Sequence, residues 1–194
     1  MSTDGVDLSR RRMLVGVTAA VGAVGIVGAA VPFVKSWNPS AKAKAAGAPV
    51  TADLSGLEPG QQMVVEWRGK PVWVVRRTPE ALADLKKVEG SLRDPNSDES
   101  VQPDFAKNEY RSINKDYLIL VGICTHLGCS PTYRPEVAPA DLGQSFRGGF
   151  FCPCHGSTYD MAGRVYKGVP APLNLEVPPY KYVTDSVVII GESA

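Results

Sequence analysis

Histidine is almost missing from this chain: there are two in 194 residues, beside four cysteines. Neither sign of charge is in excess, with 21 lysines and arginines against 20 aspartates and glutamates. A net charge of +1 offers no basic face to a phosphate backbone, and no RNA-reading motif occurs, so no nucleic-acid partner is expected. Internal repeats are also absent. What little histidine there is stands in a pattern. His126 and His155 each lie within three residues of a cysteine, and all four cysteines fall in the same two short stretches. Scattered structural residues rarely arrange themselves so, and the concentration points to one metal site built from two loops.

Charge disappears altogether from Met13 to Val34, a run of 22 residues. As a helix at about 1.5 Å per residue this run covers ~33 Å, enough for a bilayer core of ~30 Å. A buried core helix is the competing reading, but core helices are rarely this long or apolar on every face. Pro32 sits near the end, where a helix break is tolerable. Just before the run stands Ser9-Arg10-Arg11-Arg12-Met13-Leu14. A paired arginine ahead of a mildly apolar segment resembles a twin-arginine export signal, and three arginines also make a positive-inside flank. Either way the N-terminus is expected in the cytoplasm and the bulk of the chain outside. No small-residue cleavage site follows directly, although Ala41 to Ala48 could supply one, so the segment is expected to remain as an anchor.

Residues 36–50 are small and polar without an apolar period, which predicts a tether. Beyond them the pattern turns to β. Gln62 to Arg68 and Pro71 to Arg76 predict two strands joined at a Gly69-Lys70 turn. Pro79 to Glu89 predicts a short helix behind Thr78, and Ser91 to Asn108 an irregular stretch. Tyr117 to Ile123 is an apolar strand running into Cys124, and Phe146 to Phe151 leads into Cys152. Arg164 to Tyr166 and Tyr182 to Ile190 are further strand candidates. The sum is an all-β domain of about 140 residues with one helical excursion.

The first cysteine stretch is Cys124-Thr125-His126-Leu127-Gly128-Cys129, and the second is Cys152-Pro153-Cys154-His155-Gly156-Ser157. Each supplies a cysteine and a histidine close together, as C-x-H and then C-x-x-H. Two cysteines and two histidines can bind zinc in a closed tetrahedral site. The two further cysteines in matched positions, and spacings unlike a zinc finger's, argue against it.

Both loops, whole, resemble those of the Rieske iron–sulfur proteins of ubiquinol–cytochrome c reductase, the cytochrome bc complex. The resemblance implies one [2Fe–2S] cluster, with Cys124 and Cys152 on one iron and His126 and His155 on the other. It implies a disulfide between Cys129 and Cys154, which suits an oxidising exterior. Ser157 and Tyr159 match the family's donors to a bridging sulfide and to a ligand cysteine sulfur. Neutral imidazoles in place of two thiolates leave less negative charge, so such centres lie at roughly −150 to +300 mV, against about −400 mV for all-cysteine plant-type clusters. His155 and His126 are the expected catalytic residues, one of them taking a proton from quinol as the cluster takes an electron. A cluster assembled in the cytoplasm must cross the membrane inside a folded protein, which agrees with the twin-arginine reading.

Gly168-Val169-Pro170-Ala171-Pro172 resembles the family's proline loop over the cluster, with Val169 added to the usual Gly-Pro-Ala-Pro. Glu66 to Trp73 and Asn174 to Tyr180 resemble its base domain. The stretch from Ser130 to Phe151 is long and carries Pro131, Pro135 and Pro139, which suggests a surface extension of proteobacterial type. The implied fold is all-β: an antiparallel β sandwich base with a small cluster-binding subdomain, plus one N-terminal transmembrane helix. The expected division is 1–12 cytoplasmic with the twin-arginine motif, 13–34 transmembrane, 35–50 flexible hinge and 51–194 the cluster domain, its binding loops within 122–172. The expected setting is a bacterial inner (plasma) membrane, crossed once, with the head on the periplasmic side. Expected partners are the cytochrome b subunit, a c-type cytochrome subunit, ubiquinol and the lipid bilayer. Competing readings are the small subunit of an arsenite-oxidase-type enzyme and a Rieske ferredoxin-like carrier. Ferredoxins and oxygenase domains of this kind usually lack the second cysteine pair, and no histidine is left here for an oxygenase's separate iron site.

Overall fold

In the computed structural model, Gly5 and residues 7–193 are described; residues 1–4, Val6 and Ala194, which belong to the expected cytoplasmic segment and to the end of the expected head, lie outside the described residues. The chain divides into two units, Met1–Ala45 and Ala46–Ala194.

Helix α1 (Leu8–Ser36) has 29 residues and buries none of them. It is longer at both ends than the uncharged run, because helix formation does not stop where charge begins. Asp7 caps its start, the carboxylate accepting from the amides of Ser9 (3.0 Å) and Arg10 (3.1 Å). The helix is long and apolar enough to cross a membrane. Arginines at one end and Lys35 with the exposed Trp37 at the other flank the apolar stretch, as charged and aromatic residues do at membrane interfaces. The expected tether contains a second helix, α2 (Ala41–Ala46). Alanine and lysine are strong helix formers, and the Ser40 hydroxyl accepts from the Ala43 amide at 3.1 Å. Six residues fall short of the roughly 12–15 that an isolated helix needs in water.

The second unit carries three antiparallel three-stranded sheets. One joins β1 (Val50–Asp53), β9 (Val187–Ile190) and β8 (Tyr180–Thr184) in that order. Another joins β2 (Gln62–Trp67), β3 (Lys70–Arg76) and β4 (Tyr117–Val121), and the third joins β5 (Thr132–Val137), β6 (Arg147–Cys152) and β7 (Ser157–Tyr159). The core is one apolar cluster fed by all three, including Val72, Val74, Leu118, Leu120, Phe150 and Ile190. Helix α3 (Pro79–Val88) starts at Thr78, whose hydroxyl accepts from the Ala81 amide at 3.2 Å.

Several sequence expectations shift. The β2–β3 turn is Arg68-Gly69, not Gly69-Lys70, since Trp67 pairs with Lys70. Both turn residues have positive φ, 54° and 70°, as a tight hairpin of matching twist requires. The Arg68 guanidinium lies 4.5 Å from the Trp67 ring centroid. Tyr182 to Ile190 is a hairpin, not one strand: Thr184 accepts from the amides of Ser186 and Val187 and turns the chain. Arg164 to Tyr166 makes only isolated bridges, Tyr159 with Val165 and Leu92 with Tyr166. Within the proline-rich stretch β5 forms a largely exposed edge strand, where Pro135 removes a donor from a ladder that has only one neighbour.

Candidate metal centre

Two loops close with the same turn. The Gly128 amide donates to the Cys124 carbonyl and the Gly156 amide to the Cys152 carbonyl, each at 3.0 Å. Both glycines are left-handed, at φ 83° and 78°. The Cys124 amide also donates to the Cys129 carbonyl at 2.7 Å. Glycine four residues after each cysteine therefore has a backbone reason.

The turns bring together every residue that the sequence singled out. Cys124 and Cys152 are free thiols, 3 % and 2 % exposed. The His126 and His155 rings meet edge to face with centroids 4.7 Å apart; His126 is half-buried and His155 exposed. A disulfide joins Cys129 to Cys154 across the loops. Its sulfurs and the Cys152 sulfur lie within 4.8 Å of one another. Bridged sulfurs offer no thiolate, whereas the free Cys152 and Cys124 could each supply one.

One hydroxyl reaches a cysteine sulfur directly. The Tyr159 hydroxyl is 3.2 Å from Cys124 Sγ and 3.2 Å from Thr125 Oγ1, and accepts from the Thr125 amide at 3.3 Å. Thr125 Oγ1 donates to the Leu173 carbonyl at 2.6 Å, so its own proton is committed. Ser157 Oγ accepts from the Ala171 amide at 3.1 Å, which leaves the hydroxyl proton free. Burial, and then the contact with Cys124, push the Tyr159 phenol well above its ordinary range, so it stays a donor. Burial likewise pushes the Cys152 thiol up, with Cys124 beside it adding to the effect. Two buried thiols side by side and two imidazoles make a donor set suited to iron with mixed ligation.

The covering segment is tied down at several points. Besides Ala171 and Leu173, Asn174 donates its backbone amide to the Ser100 hydroxyl (3.0 Å) and its side-chain amide to the Asp94 carbonyl (2.8 Å), and accepts from the Val165 amide (2.8 Å). The added Val169 has a place: it packs against the main core and also against a small apolar cluster of Val88, Leu92, Phe146 and Tyr166.

Three buried arginines underlie the site, and sequence reasoning missed them. Arg111 donates to the carbonyls of Ala162 (3.0 Å) and Leu175 (2.8 Å). Arg77 reaches the carbonyls of Lys115, Tyr110 and Met161, and Arg164 pairs with Asp160 at 2.7 Å. Burial lowers Arg77 and Arg111 to about 10, which leaves both cationic at neutral pH. Their partners are carbonyls of distant segments, so no local pattern signals them. Thr125, between two ligand candidates, had a visible position but no motif of its own.

Two Cys/His loops on small antiparallel sheets, with paired thiols and a bridging disulfide, define a Rieske-type [2Fe–2S] protein, and the comparisons agree. Residues 48–180 match the family model described as Rieske [2Fe-2S] domain, and residues 1–40 match the model described as Ubiquitinol-cytochrome C reductase Fe-S subunit TAT signal. The ubiquinol-cytochrome c reductase iron-sulfur subunit of Allochromatium vinosum is 59% identical over 192 residues, covering 99% of this chain and 93% of that one. That of Rhodospirillum rubrum is 45% identical over 192 residues, covering 98% and 96%. A chain in a solved structure titled "Hyperthermophilic respiratory Complex III" is 30% identical, covers 89% of this chain and 97% of its own, and superposes with a TM-score of 0.49. The chain belongs to the family of Rieske iron–sulfur subunits of ubiquinol–cytochrome c reductase.

Proposed function

We propose that the chain is the electron-transferring subunit of a respiratory ubiquinol–cytochrome c oxidoreductase, and that Cys124 with Cys152 and His126 with His155 hold its [2Fe–2S] cluster. The two buried free thiols and the two imidazoles, carried on loops that a disulfide joins, support this reading. When bound, the cluster supplies a one-electron acceptor of high potential, in the roughly −150 to +300 mV range of such centres.

The side chains divide the remaining work. His155, the exposed imidazole, accepts the quinol's hydrogen bond at its outer ring nitrogen and receives its proton; half-buried His126 is less accessible. Tyr159 turns its single proton towards Cys124 once that sulfur is anionic, because a charge-assisted bond outweighs one to a neutral hydroxyl. Ser157 would present its free proton to a sulfide of the bound cluster, and its oxygen holds the 168–173 segment through the Ala171 amide. The exposed tip around Leu127, Pro153 and His155 is the face that docks on a cytochrome b subunit and later on a c-type cytochrome. Helix α1 anchors the subunit in a bacterial inner membrane, N-terminus cytoplasmic and head periplasmic, and residues 35–50 let the head travel between the two sites.

The deciding experiment is the midpoint potential as a function of pH. It should fall with rising pH across the alkaline range if electron uptake by the cluster is coupled to a proton on this site. A flat profile would rule out the coupled proton. Prolines placed across Ala41 to Gly47 should slow turnover in membranes without altering the cluster's spectrum; unchanged steady-state rates would count against a travelling head. Co-purification of b- and c-type haem proteins in mild detergent tests the partners. The arsenite-oxidase-type and ferredoxin-like alternatives are not favoured, since relatives at 59% and 45% identity over nearly the whole chain are iron–sulfur subunits of the quinol enzyme.

A further inference from the structure

We infer that Trp73 is a positioning residue for the cluster: its indole is the spacer that sets the distance between the two strands delivering Cys124 and Cys152. The inference rests on the assignment of those two cysteines as ligands.

Strands β4 and β6 belong to different sheets and share no hydrogen-bond ladder. Backbone pairing therefore does not fix how far apart their ends, and the cysteines beyond them, stand. Several contacts span the gap, among them the Tyr159 hydroxyl of β7 on Cys124 Sγ at 3.2 Å. The disulfide Cys129–Cys154 joins the loops past the cysteines. Before the cysteines stands Trp73, on β3 and 5 % exposed.

One face of the indole stacks on Phe150, with centroids 5.1 Å apart and planes within 17°. Phe150 lies two residues before Cys152 on β6. Residues two apart on a strand share a face and lie about 7 Å apart, so the stack sits one repeat below the thiol. The indole also lies against Gly122, two residues before Cys124. A Cβ at Gly122 would overlap the indole at Cε2, Nε1 (2.5 Å) and Cζ2 (2.7 Å). Gly122 is not among the glycines of positive φ, so its backbone conformation does not call for glycine. Space does. The Gly122 amide donates to the Pro71 carbonyl at 2.8 Å, which holds that backbone against β3 while the ring fills the room a side chain would take. The same ring thus touches the approach to both cysteines.

The test uses the full-length protein in membranes, with bound iron, the paramagnetic resonance spectrum of the reduced cluster, midpoint potential and melting temperature as readouts. Trp73→Phe keeps a flat ring on Phe150 and should hold the g values close to those of the unaltered protein. Trp73→Leu should still bind iron but shift and broaden the signal and move the potential. Gly122→Ala should lose most of the signal, and Trp73→Leu with Gly122→Ala should recover part of it, since the new methyl enters the space the indole leaves. The inference is overturned if Trp73→Leu lowers only the melting temperature while g values and potential stay fixed, if Gly122→Ala keeps a full signal, or if the double variant is no better than Gly122→Ala. Failure of the ligand assignment looks different: Cys124→Ser or Cys152→Ser would then keep the signal.

Discussion

In the second loop, Cys152 is the last residue of β6 and Ser157 the first of β7, and the two are register partners. In the first loop, Cys124 lies past the end of β4 at Val121, and the chain after Cys129 does not return along β4. The turns at Gly128 and Gly156 are nearly the same, yet one is the tip of a hairpin and the other is a free excursion. Backbone pairing holds the second. The first has one backbone bond across its base, from the Cys124 amide to the Cys129 carbonyl, and beyond it depends on side chains: the Thr125 hydroxyl on Leu173, Tyr159 against Cys124, and the disulfide from Cys129. Similar ligand motifs can thus be supported by different physics, and the first loop should be the one that fails first.

The largest expected effect comes from removing what both loops share. Cys124→Ser and Cys152→Ser should each abolish the cluster's resonance signal and its iron. Stripping iron from the unaltered protein should speed amide hydrogen exchange more in 125–131 than in 153–159; equal speeding would sink the asymmetry. Next comes the bridge. Cys129→Ala with Cys154→Ala should cost about 2–4 kcal/mol of stability, read as a lower melting temperature, with the extra exchange again concentrated in the first loop. A smaller effect separates the hydroxyls. Tyr159→Phe should lower the midpoint potential by about 20–65 mV, the equivalent of one hydrogen bond of about 0.5–1.5 kcal/mol, with iron content unchanged. Ser157→Ala should do likewise and also loosen 168–173, because Ser157 alone of the two holds Ala171. Equal exchange in that segment for both variants would remove this distinction.

The site was more legible than the scaffold. The cysteines and histidines announce themselves by rarity and spacing, and the apolar run Tyr117 to Ile123 points at Cys124 because a fully buried strand has no polar face to hide it. The disulfide partners were legible only through family likeness, since spacing does not fix a pairing. Turn chemistry caused the misplaced hairpin at Arg68-Gly69, where an arginine occupies a left-handed position that composition assigns to glycine. The fold of the long irregular stretch 89–116 was not legible, because buried arginines organise it through carbonyls far away in sequence. Arginine ordinarily marks surface, and nothing local in Arg77 or Arg111 says otherwise.

Strand β1 begins at Val50, directly after the tether, and is paired only with β9 at the end of the head. The cysteine loops hang from the other two sheets. The head is therefore built like a tool with its grip and its working edge in separate pieces of metal. A pull or twist arriving along the tether loads the β1–β9 ladder first and reaches the loops through the apolar core and through ties such as the Val121 amide on the Glu176 carbonyl at 2.9 Å.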